Sequence, residues 1–348
     1  MLSMRIKLIA VIGIIGIVAF SCTKSLDSVS IEKPDTGTAA DSLWTYYNWN
    51  YVDSLSMLPS NTISSVCEFA NEIWVSTPSD ISVFRSNKWT HFQVDGPFFL
   101  RTIDGHLVTN HIQAINITFL SIFDDYAWSP YYEQNQRLAN IVNRGDQLFD
   151  FIEFKGDKYY AFGFSGVIID KSDEYSHLSS NRIPVFKFKI DSKERLWFLG
   201  EWGYFGNRPD TLTSNIEYVE NGTLHSLELP APLKLKDITA VEDWGGIVIS
   251  SNYWRKVYRF ADNSWTDITD KFPSQDVSEF GYDKRGKFWI STFDNGIAKY
   301  SDGKWIIYNV YNYLKTNYIN TFYFDSHNVL WIPTPSSGLV KYVGEKIE

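Results

Sequence analysis

Aromatic side chains that interrupt the regular pattern of this sequence are its best candidates for ligand chemistry. They fall outside the repeated positions, in long irregular segments beside charged residues. Aromatic faces combined with a few polar groups suit the binding of carbohydrates or peptides. The candidate ligand-binding residues are Trp128, Tyr131, Glu201, Trp202, Tyr204, Arg208 and Trp254. The alternative is that these rings pack their own loops, so the elements that carry them decide the question.

The sequence carries none of the usual catalytic signatures. Gly163-Phe-Ser165-Gly166 lacks the spacing of a hydrolase nucleophile elbow, and the 6 histidines are scattered without a metal-binding motif. Asp124-Asp125 and Asp173-Glu174 are adjacent carboxylates of the kind that a glycosidase or a calcium site uses. Such pairs in loops are more commonly just solvated. We therefore expect no catalytic residue, no metal and no cofactor, with a carbohydrate-active lyase or hydrolase as the alternative.

The C-terminal part of the chain contains an internal repeat. Trp331 follows Trp289 by 42 residues, and Tyr342 follows Tyr300 at the same distance. Each unit combines an alternating apolar strand, a polar turn, a tryptophan-bearing strand and a strand that ends in tyrosine. A period of about 40 residues with several short strands is typical of a β-propeller blade.

Further copies of the tryptophan-bearing strand predict the number of blades. Two clear copies surround Trp74 and Trp197, and the weaker copies keep the apolar pattern without the tryptophan. The predicted copies are 72–77, 105–108, 157–163, 195–200, 246–250, 287–292 and 330–334. We expect an all-β chain with seven four-stranded blades, with six or eight blades as alternatives. The best helical candidate is the short segment 132–142.

The two ends of the domain are predicted to meet in one blade. The last copy lacks a fourth strand, because only six residues follow Tyr342. The segment from Leu43 to Tyr47 has the Trp-x-x-aromatic form of the fourth strands that begin at Lys88 and Lys304. We expect it to complete the last blade and so remove an open sheet edge.

The N-terminus is similar to the signal of a bacterial lipoprotein. Arg5 and Lys7 precede an apolar run from Leu8 to Phe20. That run is shorter than the roughly 20 residues of a comfortable membrane span. A small residue and then Cys22 follow, which predicts acylation of Cys22 after cleavage. A cleaved secretory signal without lipid is the alternative.

Composition predicts the boundaries of the segments along the chain and limits the classes of partner. We assign 1–21 to the signal peptide, 22–40 to a flexible tether rich in small polar residues, and 41–348 to the propeller domain. The formal net charge is −9 over 348 residues. Because nucleic-acid binding needs clustered basic residues, we expect no nucleic-acid partner. Acylation of Cys22 leaves Cys67 without a disulfide partner.

The repeat unit resembles the two-component-regulator propeller repeat. The Asp-x-x-Gly turn, the Trp-Ile-x-Thr strand and the following Gly and Tyr carry the resemblance, which is strong over 61–92 and 277–342 and weaker between them. That family occurs in periplasmic sensor regions of hybrid histidine kinases and in lipoproteins of gut Bacteroidetes. No kinase or DNA-binding region accompanies the repeats here, so the resemblance implies fold and compartment, and a signalling role is analogy alone.

Together these features predict a lipid-anchored β-propeller of the bacterial envelope. The lipid on Cys22 is expected to attach it to the outer membrane, facing the periplasm or the surface. We expect it to recognise a glycan or a protein ligand without catalysing a reaction. A structural subunit of an envelope complex is a further alternative.

Overall fold

Ten segments of the chain are described by the computed structural model. They are 43–47, 57–94, 97–113, 117–124, 127–142, 146–163, 165–171, 174–178, 185–200 and 213–344. All of them belong to the unit Lys33–Glu348. The predicted signal peptide and the whole predicted tether, with Cys22, lie outside these residues.

Short antiparallel strands make up almost all of the described chain. In chain order the first nine strands are β1 (Trp44–Tyr47), β2 (Ser65–Phe69), β3 (Glu72–Ser76), β4 (Asp80–Arg85), β5 (Lys88–Gln93), β6 (Pro97–Ile103), β7 (His106–Gln113), β8 (Ile117–Asp124) and β9 (Ala127–Pro130). The next eight are β10 (Leu148–Phe154), β11 (Asp157–Phe162), β12 (Gly166–Lys171), β13 (Glu174–His177), β14 (Lys187–Ile190), β15 (Leu196–Leu199), β16 (Asn215–Glu220) and β17 (Thr223–Glu228).

Eleven further strands complete the described chain. They are β18 (Ala240–Asp243), β19 (Ile247–Ser251), β20 (Lys256–Ala261), β21 (Ser264–Asp267), β22 (Val277–Tyr282), β23 (Phe288–Thr292), β24 (Ile297–Ser301), β25 (Lys304–Tyr308), β26 (Tyr323–Phe324), β27 (Leu330–Pro333) and β28 (Leu339–Tyr342). One α-helix, α1 (Tyr132–Ala139), lies at the predicted position between β9 and β10. Short 3-10 helices occupy Leu235–Asp237 and Thr269–Lys271.

These strands form seven four-stranded sheets within the described residues, and the chain is a seven-bladed β-propeller. Six blades use four consecutive strands, from β2–β5 to β22–β25. The seventh has the order β1-β28-β27-β26, so the first strand of the chain completes the last blade. Trp44 pairs with Tyr342 and Tyr47 with Leu339 in this sheet. The predicted blade number and the predicted closure by 43–47 are confirmed.

Apolar side chains fill the spaces between neighbouring blades. Seven buried clusters occur in the described residues, one for each pair of adjacent blades. The repeated tryptophans of the second strands are at their centres: Trp74, Trp197, Trp289 and Trp331 are at most 2% exposed. Because β-branched and aromatic residues cover a pleated surface well, the high aromatic content of the sequence goes mainly into this packing.

A turn aspartate holds the buried tryptophan in three of the blades. Asp191 Oδ1 accepts the backbone N–H groups of Lys193 and Arg195, at 2.9 and 3.0 Å, which closes the turn between β14 and β15. Its Oδ2 accepts the indole N–H of Trp197 at 2.8 Å. Asp325 binds Trp331 in the same way at 2.9 Å. Each such carboxylate therefore satisfies both a tight turn and a buried indole.

The first blade departs from this arrangement. Glu68 occupies the position six residues before Trp74, where the blades of Trp197, Trp289 and Trp331 have aspartate. Its carboxylate instead accepts the backbone N–H and the hydroxyl of Ser326 in the seventh blade, at 2.7 and 2.6 Å. The indole N–H of Trp74 is buried without a hydrogen-bond partner among the described residues. Glu68 thus stabilises the contact between the first and the seventh blade, and does not stabilise the turn of its own blade.

Candidate functional site

The first strands of the blades surround a central channel. β2 contacts β6, β6 contacts β10, β10 contacts β14 and β18 contacts β22, so the first strand of each blade lies nearest to the axis. Each of these strands starts at the end of the ring that carries the connections between blades. That end also carries the connections between second and third strands, and we call it the cavity face. The opposite end, with the Asp191 and Asp325 turns, is the turn face.

A cavity of about 820 Å³ occupies the channel toward the cavity face. Its walls come from the beginnings of the first strands, such as Lys187 in β14 and Ser278 in β22. The wall nearest to the cavity face comes from connections between strands, for example from Tyr253 in the connection between β19 and β20. The volume is typical of a site for a small molecule or a few sugar units.

Two lysines and one glutamate meet across the channel at the inner part of this cavity. Lys187 and Lys189 extend from β14 of the fourth blade, and Glu279 extends from β22 of the sixth blade. Lys187 Nζ donates a hydrogen bond to Glu279 Oε2, and Lys189 Nζ lies 3.0 Å from Glu279 Oε1. Lys189 also donates to the backbone oxygen of Phe280 at 2.8 Å. These contacts join two blades that are not neighbours.

The ion pairs decide the protonation of Glu279. Burial by itself raises the pKa of this carboxyl group, but the two lysine ammonium groups outweigh burial and lower the pKa to about 2. Burial likewise lowers the pKa of Lys189, yet Glu279 and Glu242 reverse this and raise it. Glu279 and Lys189 are therefore both charged at neutral pH.

Arg101 adds a second ion pair to the cavity wall. Its guanidinium group lies 3.2 Å from Asp150 Oδ1 in the third blade. Asp150 is fully buried, and its Oδ2 accepts the backbone N–H of Phe188 in the fourth blade at 2.9 Å. One carboxylate thereby connects three successive blades beside the channel.

Aromatic rings border the mouth of the cavity. Tyr253 is 53% exposed and Tyr318 is 46% exposed, although both line the cavity. Phe293 packs against Tyr318 with their ring centroids 4.9 Å apart. We call these three residues the aromatic rim. All three lie in turns or connections just outside the strands. Aromatic rings offer a large contact area at little cost in side-chain entropy.

Lys236 enters the cavity wall from the short helix Leu235–Asp237. Asp237 Oδ2 accepts the backbone N–H of Lys234 at 2.9 Å and the indole N–H of Trp254 at 3.2 Å. Gly200 packs closely on this helix, since a Cβ atom there would lie 2.8 Å from Leu235 O. Trp254 therefore acts on the cavity indirectly, because its indole fixes the helix that carries Lys236.

The structure separates the predicted site residues. Trp254 follows Tyr253 of the aromatic rim directly in the sequence, but the Trp254 ring does not line the cavity. Trp128 lies in β9, the fourth strand of the second blade, where it packs against Phe123 with ring centroids 5.3 Å apart. Tyr131 precedes α1 and donates a hydrogen bond to Asp104 at 3.3 Å. Neither Trp128 nor Tyr131 lines the cavity.

One premise of the sequence interpretation was wrong for Trp128. It is the second residue of a fourth strand, as are Trp89 in β5 and Trp305 in β25, so it occupies a repeated position. The second blade is degenerate in its second strand, which hid this equivalence. The other predicted ligand-binding residues, Glu201, Trp202, Tyr204 and Arg208, lie outside the described residues, and their role stays a prediction.

Sequence reasoning missed the charged residues of the channel. A signal was present in β14 and the residue before it, since Phe186-Lys187-Phe188-Lys189 alternates aromatic and basic side chains. Alternation of this kind places both lysines on one side of a strand. The sequence alone does not reveal that β14 borders a channel. From the sequence, Lys187 and Lys189 are therefore indistinguishable from ordinary solvent-facing lysines.

The described histidines lie away from the cavity. His91 Nδ1 lies 2.8 Å from Ser82 Oγ in the first blade, and the His225 ring stacks on Tyr218 in the outer strands of the fourth blade. His177 Nδ1 lies 3.0 Å from the backbone oxygen of Ser165. Within the described residues no group of three His, Cys, Asp or Glu side chains is arranged to hold a metal ion.

No model of a known protein family matches the sequence. The curated proteins contain no match either. Among solved structures, the extracellular domain of a putative hybrid two-component system from B. thetaiotaomicron is similar, with a TM-score of 0.60 and 13% identity. The likeness covers 86% of this chain and 42% of that chain, so this chain spans less than half of its length.

Two further structures are similar to the same extent. Virginiamycin B lyase from Staphylococcus aureus has a TM-score of 0.60 and 12% identity, over 86% of this chain and 98% of that chain. PorZ, an essential bacterial surface component of the type-IX secretion system of Porphyromonas gingivalis, has a TM-score of 0.57 and 13% identity, over 82% of this chain and 47% of that chain. At these identities the likeness shows the fold alone.

The described residues include no helix that is both long and apolar enough to span a bilayer.

Proposed function

We propose that this chain is a non-catalytic recognition module of the bacterial envelope, anchored through a lipid on Cys22, that binds an oligosaccharide in the channel cavity. The observation that carries the proposal is the aromatic rim of Tyr253, Phe293 and Tyr318 around a concave site of about 820 Å³. Tyr253 and Tyr318 keep about half of their surface exposed at the mouth of the cavity, so a ligand can contact them.

The polar groups of the cavity fit the hydroxyl groups of sugars. Asn252, Asn320 and Thr321 line the cavity beside the rim and supply amide and hydroxyl groups that both donate and accept hydrogen bonds. A sugar ring has an apolar face that stacks on an aromatic ring and an edge of hydroxyl groups. The combination of rim and amides matches both features.

The similar structures support an envelope location. One is described as an extracellular domain and another as a bacterial surface component. Arg5, Lys7, the apolar run and Cys22 in this sequence fit a lipoprotein signal, which gives a route to the same compartment.

Glu279 is better suited to holding charge than to catalysis. A general acid in a hydrolase needs a carboxyl group that keeps its proton near neutral pH. The two lysines have the opposite effect, since they lower the pKa of Glu279 to about 2. Glu242 does have a raised pKa through burial, but its Oε1 already accepts the backbone N–H groups of Ser192 and Asp243 at 2.7 and 2.9 Å.

Binding to an oligosaccharide array, followed by calorimetry with the best oligosaccharide, tests the site. The double variant Tyr253→Ala, Tyr318→Ala is expected to weaken binding at least tenfold, because each lost stacking contact removes on the order of 1 kcal/mol. Tyr311→Ala is the matched control, since Tyr311 is 89% exposed and does not line the cavity. Undiminished binding by the double variant would refute the cavity as the site. Binding of peptides in place of every oligosaccharide would refute the ligand class.

Metabolic labelling with an alkyne fatty acid, followed by membrane fractionation, tests the anchor. The wild-type protein is expected to carry the label and to sediment with membranes, and Cys22→Ser is expected to lose both properties. Cys67→Ser is the control and should keep the label. An unlabelled wild-type protein, or a labelled Cys22→Ser variant, contradicts the proposed anchor.

A further inference from the structure

The channel cavity concentrates positive charge in a chain whose formal net charge is −9. Four cationic side chains line it, namely Arg101, Lys187, Lys189 and Lys236. Among the described residues the carboxylates in its lining are those of Glu279 and Asp276. The partners of each charge show which cations are available to a ligand.

Arg101 and Asp276 are each neutralised by a partner. Arg101 is paired with the buried Asp150, as described above. Asp276 lies 2.8 Å from Arg255, whose guanidinium group is outside the cavity wall. Neither residue contributes a net charge to the cavity.

The single charge of Glu279 is shared by two ammonium groups. Lys189 is the more enclosed of the two, with its side chain 19% exposed, and Glu242 and Asp191 add to the negative potential around it. It also donates to Phe280 O, so its role is structural. Lys187 is 30% exposed and its ammonium group has donors left after its bond to Glu279. Lys187 is therefore the ammonium group of this triad that a ligand in the cavity can reach.

Lys236 supplies a further positive charge to the cavity wall. No carboxylate of the described residues lies within ion-pair distance of its ammonium group, although its side chain is half-buried in the cavity wall. The short helix that carries it is fixed by Asp237, Trp254 and the close approach of Gly200. A half-buried ammonium group on a rigid support, facing a concave site, attracts an anion more strongly than one on an open surface.

We propose that the oligosaccharide bound in the channel cavity is acidic, and that Lys187 and Lys236 bind its anionic group while the aromatic rim stacks on its sugar rings. This inference rests on the proposed function and specifies its ligand class. The anionic group is a carboxylate, as in a uronic acid, or a sulfate ester. Either one accepts charge-assisted hydrogen bonds from ammonium groups.

Trp254 acts in this site as a positioning residue. Its indole N–H binds Asp237, and Asp237 closes the backbone turn that precedes Lys236. Trp254→Phe keeps an aromatic ring but removes the indole N–H that Asp237 accepts, so Lys236 loses its fixed position. The expected effect is a loss of affinity for the acidic ligand alone.

Calorimetry with three oligosaccharides of equal length tests the proposal. The probes are an oligogalacturonate, a sulfated oligosaccharide and a neutral oligosaccharide, each titrated into the purified full-length protein at low and at high salt. Lys236→Gln and Lys187→Gln are expected to lower affinity for the acidic probes about tenfold each and to leave affinity for the neutral probe unchanged. Lys193→Gln is the matched control, because Lys193 is exposed on the turn face. The difference between the two acidic probes identifies the anionic group.

Each outcome decides one of the two proposals. An acidic preference that disappears in Lys236→Gln and weakens with salt supports the inference, since salt screens charge pairs. Equal affinity for acidic and neutral probes, unaffected by either lysine variant, overturns the inference and leaves the proposed function standing. Failure of all three probes, together with an array that shows no other glycan, overturns the proposed function. Trp254→Phe provides a second readout, because a purely structural role predicts equal losses for acidic and neutral probes.

Discussion

Lys189 and Glu279 come from the fourth and the sixth blade, yet their charged groups lie 3.0 Å apart across the channel. The main strand contacts among the described residues join strands of one blade or of adjacent blades. The pair therefore fixes the width of the channel from inside, and the cavity lies between this pair and the cavity face. Its energetics can be tested separately from any ligand.

Replacing Glu279 with glutamine should destabilise the protein strongly. Two partly buried ammonium groups lose their counter-charge, and removing one partner of a fully buried pair costs about 3–5 kcal/mol. The pKa of Glu279 is lowered in the folded state, so its contribution to stability is present above the unfolded value of 4.5 and is lost as the pH falls towards about 2. Urea unfolding should therefore show a larger difference between wild type and Glu279→Gln at pH 7 than at pH 3. An equal difference at both pH values would contradict this role.

Replacing Glu242 with glutamine should have the opposite sign. Burial raises the pKa of Glu242 in the folded state, so ionisation opposes folding once the pH rises above the unfolded value. Glutamine keeps an oxygen that can accept the N–H groups of Ser192 and Asp243. We expect Glu242→Gln to raise the unfolding temperature at pH 7 and to match the wild type near pH 4. A lower unfolding temperature at pH 7 would show that the charge is needed.

Removing the turn carboxylate of Asp325 should be costly. Its buried carboxylate accepts the backbone N–H groups of His327 and Val329 and the indole N–H of Trp331. Asp325→Ala leaves these donors unpaired, and we expect a loss of about 3 kcal/mol in the free energy of unfolding. Asp270→Ala is the control, because Asp270 is exposed and its loss should cost less than about 0.5 kcal/mol. Equal effects of both variants in denaturant titrations would argue against the turn carboxylate as a support of the blade.

Ring closure depends on Trp44. Its ring stacks on Tyr342 at 4.3 Å and on Tyr313 at 5.4 Å, and it pairs with the last strand of the chain. We expect Trp44→Ala to cost about 2–4 kcal/mol and to promote aggregation, since β28 becomes an unpaired edge. Thr45→Ala on the same strand should have little effect because Thr45 is exposed. Thermal unfolding with light scattering measures both effects, and a soluble, fully stable Trp44→Ala variant would contradict them.

The fold could be predicted because its determinants repeat. The spacing of Trp289 and Trp331 set the period, and the Trp-x-x-aromatic form of 44–47 matched the fourth strands before any pairing was known. Propeller blades contact mainly their neighbours in sequence, so a local pattern carries most of the architecture. Ring closure is the exception, and it was predictable because the missing strand had a recognisable sequence form.

The cavity could not be predicted in the same way. Lys187 and Glu279 are 92 residues apart, and neither lies in a motif that marks the channel. Off-repeat aromatics were a weaker guide, since Trp128 belongs to a degenerate blade and packs between strands. Trp254 was closer to the site, although its contribution passes through Asp237. Side chains that meet only at the axis of a ring leave no periodic trace in the sequence.

The pairing of β1 with β28 also sets the order in which this protein can mature. A ribosome produces β1 first and β28 last, so the opening strand must wait without its partner until the whole chain has been delivered. Any compartment that receives the chain N-terminus first therefore holds six complete blades and an unfinished seventh for a time. Quality-control proteases and chaperones would encounter the protein with its seventh blade incomplete. A premature stop codon that removes β28 should leave β1 permanently without its partner strand.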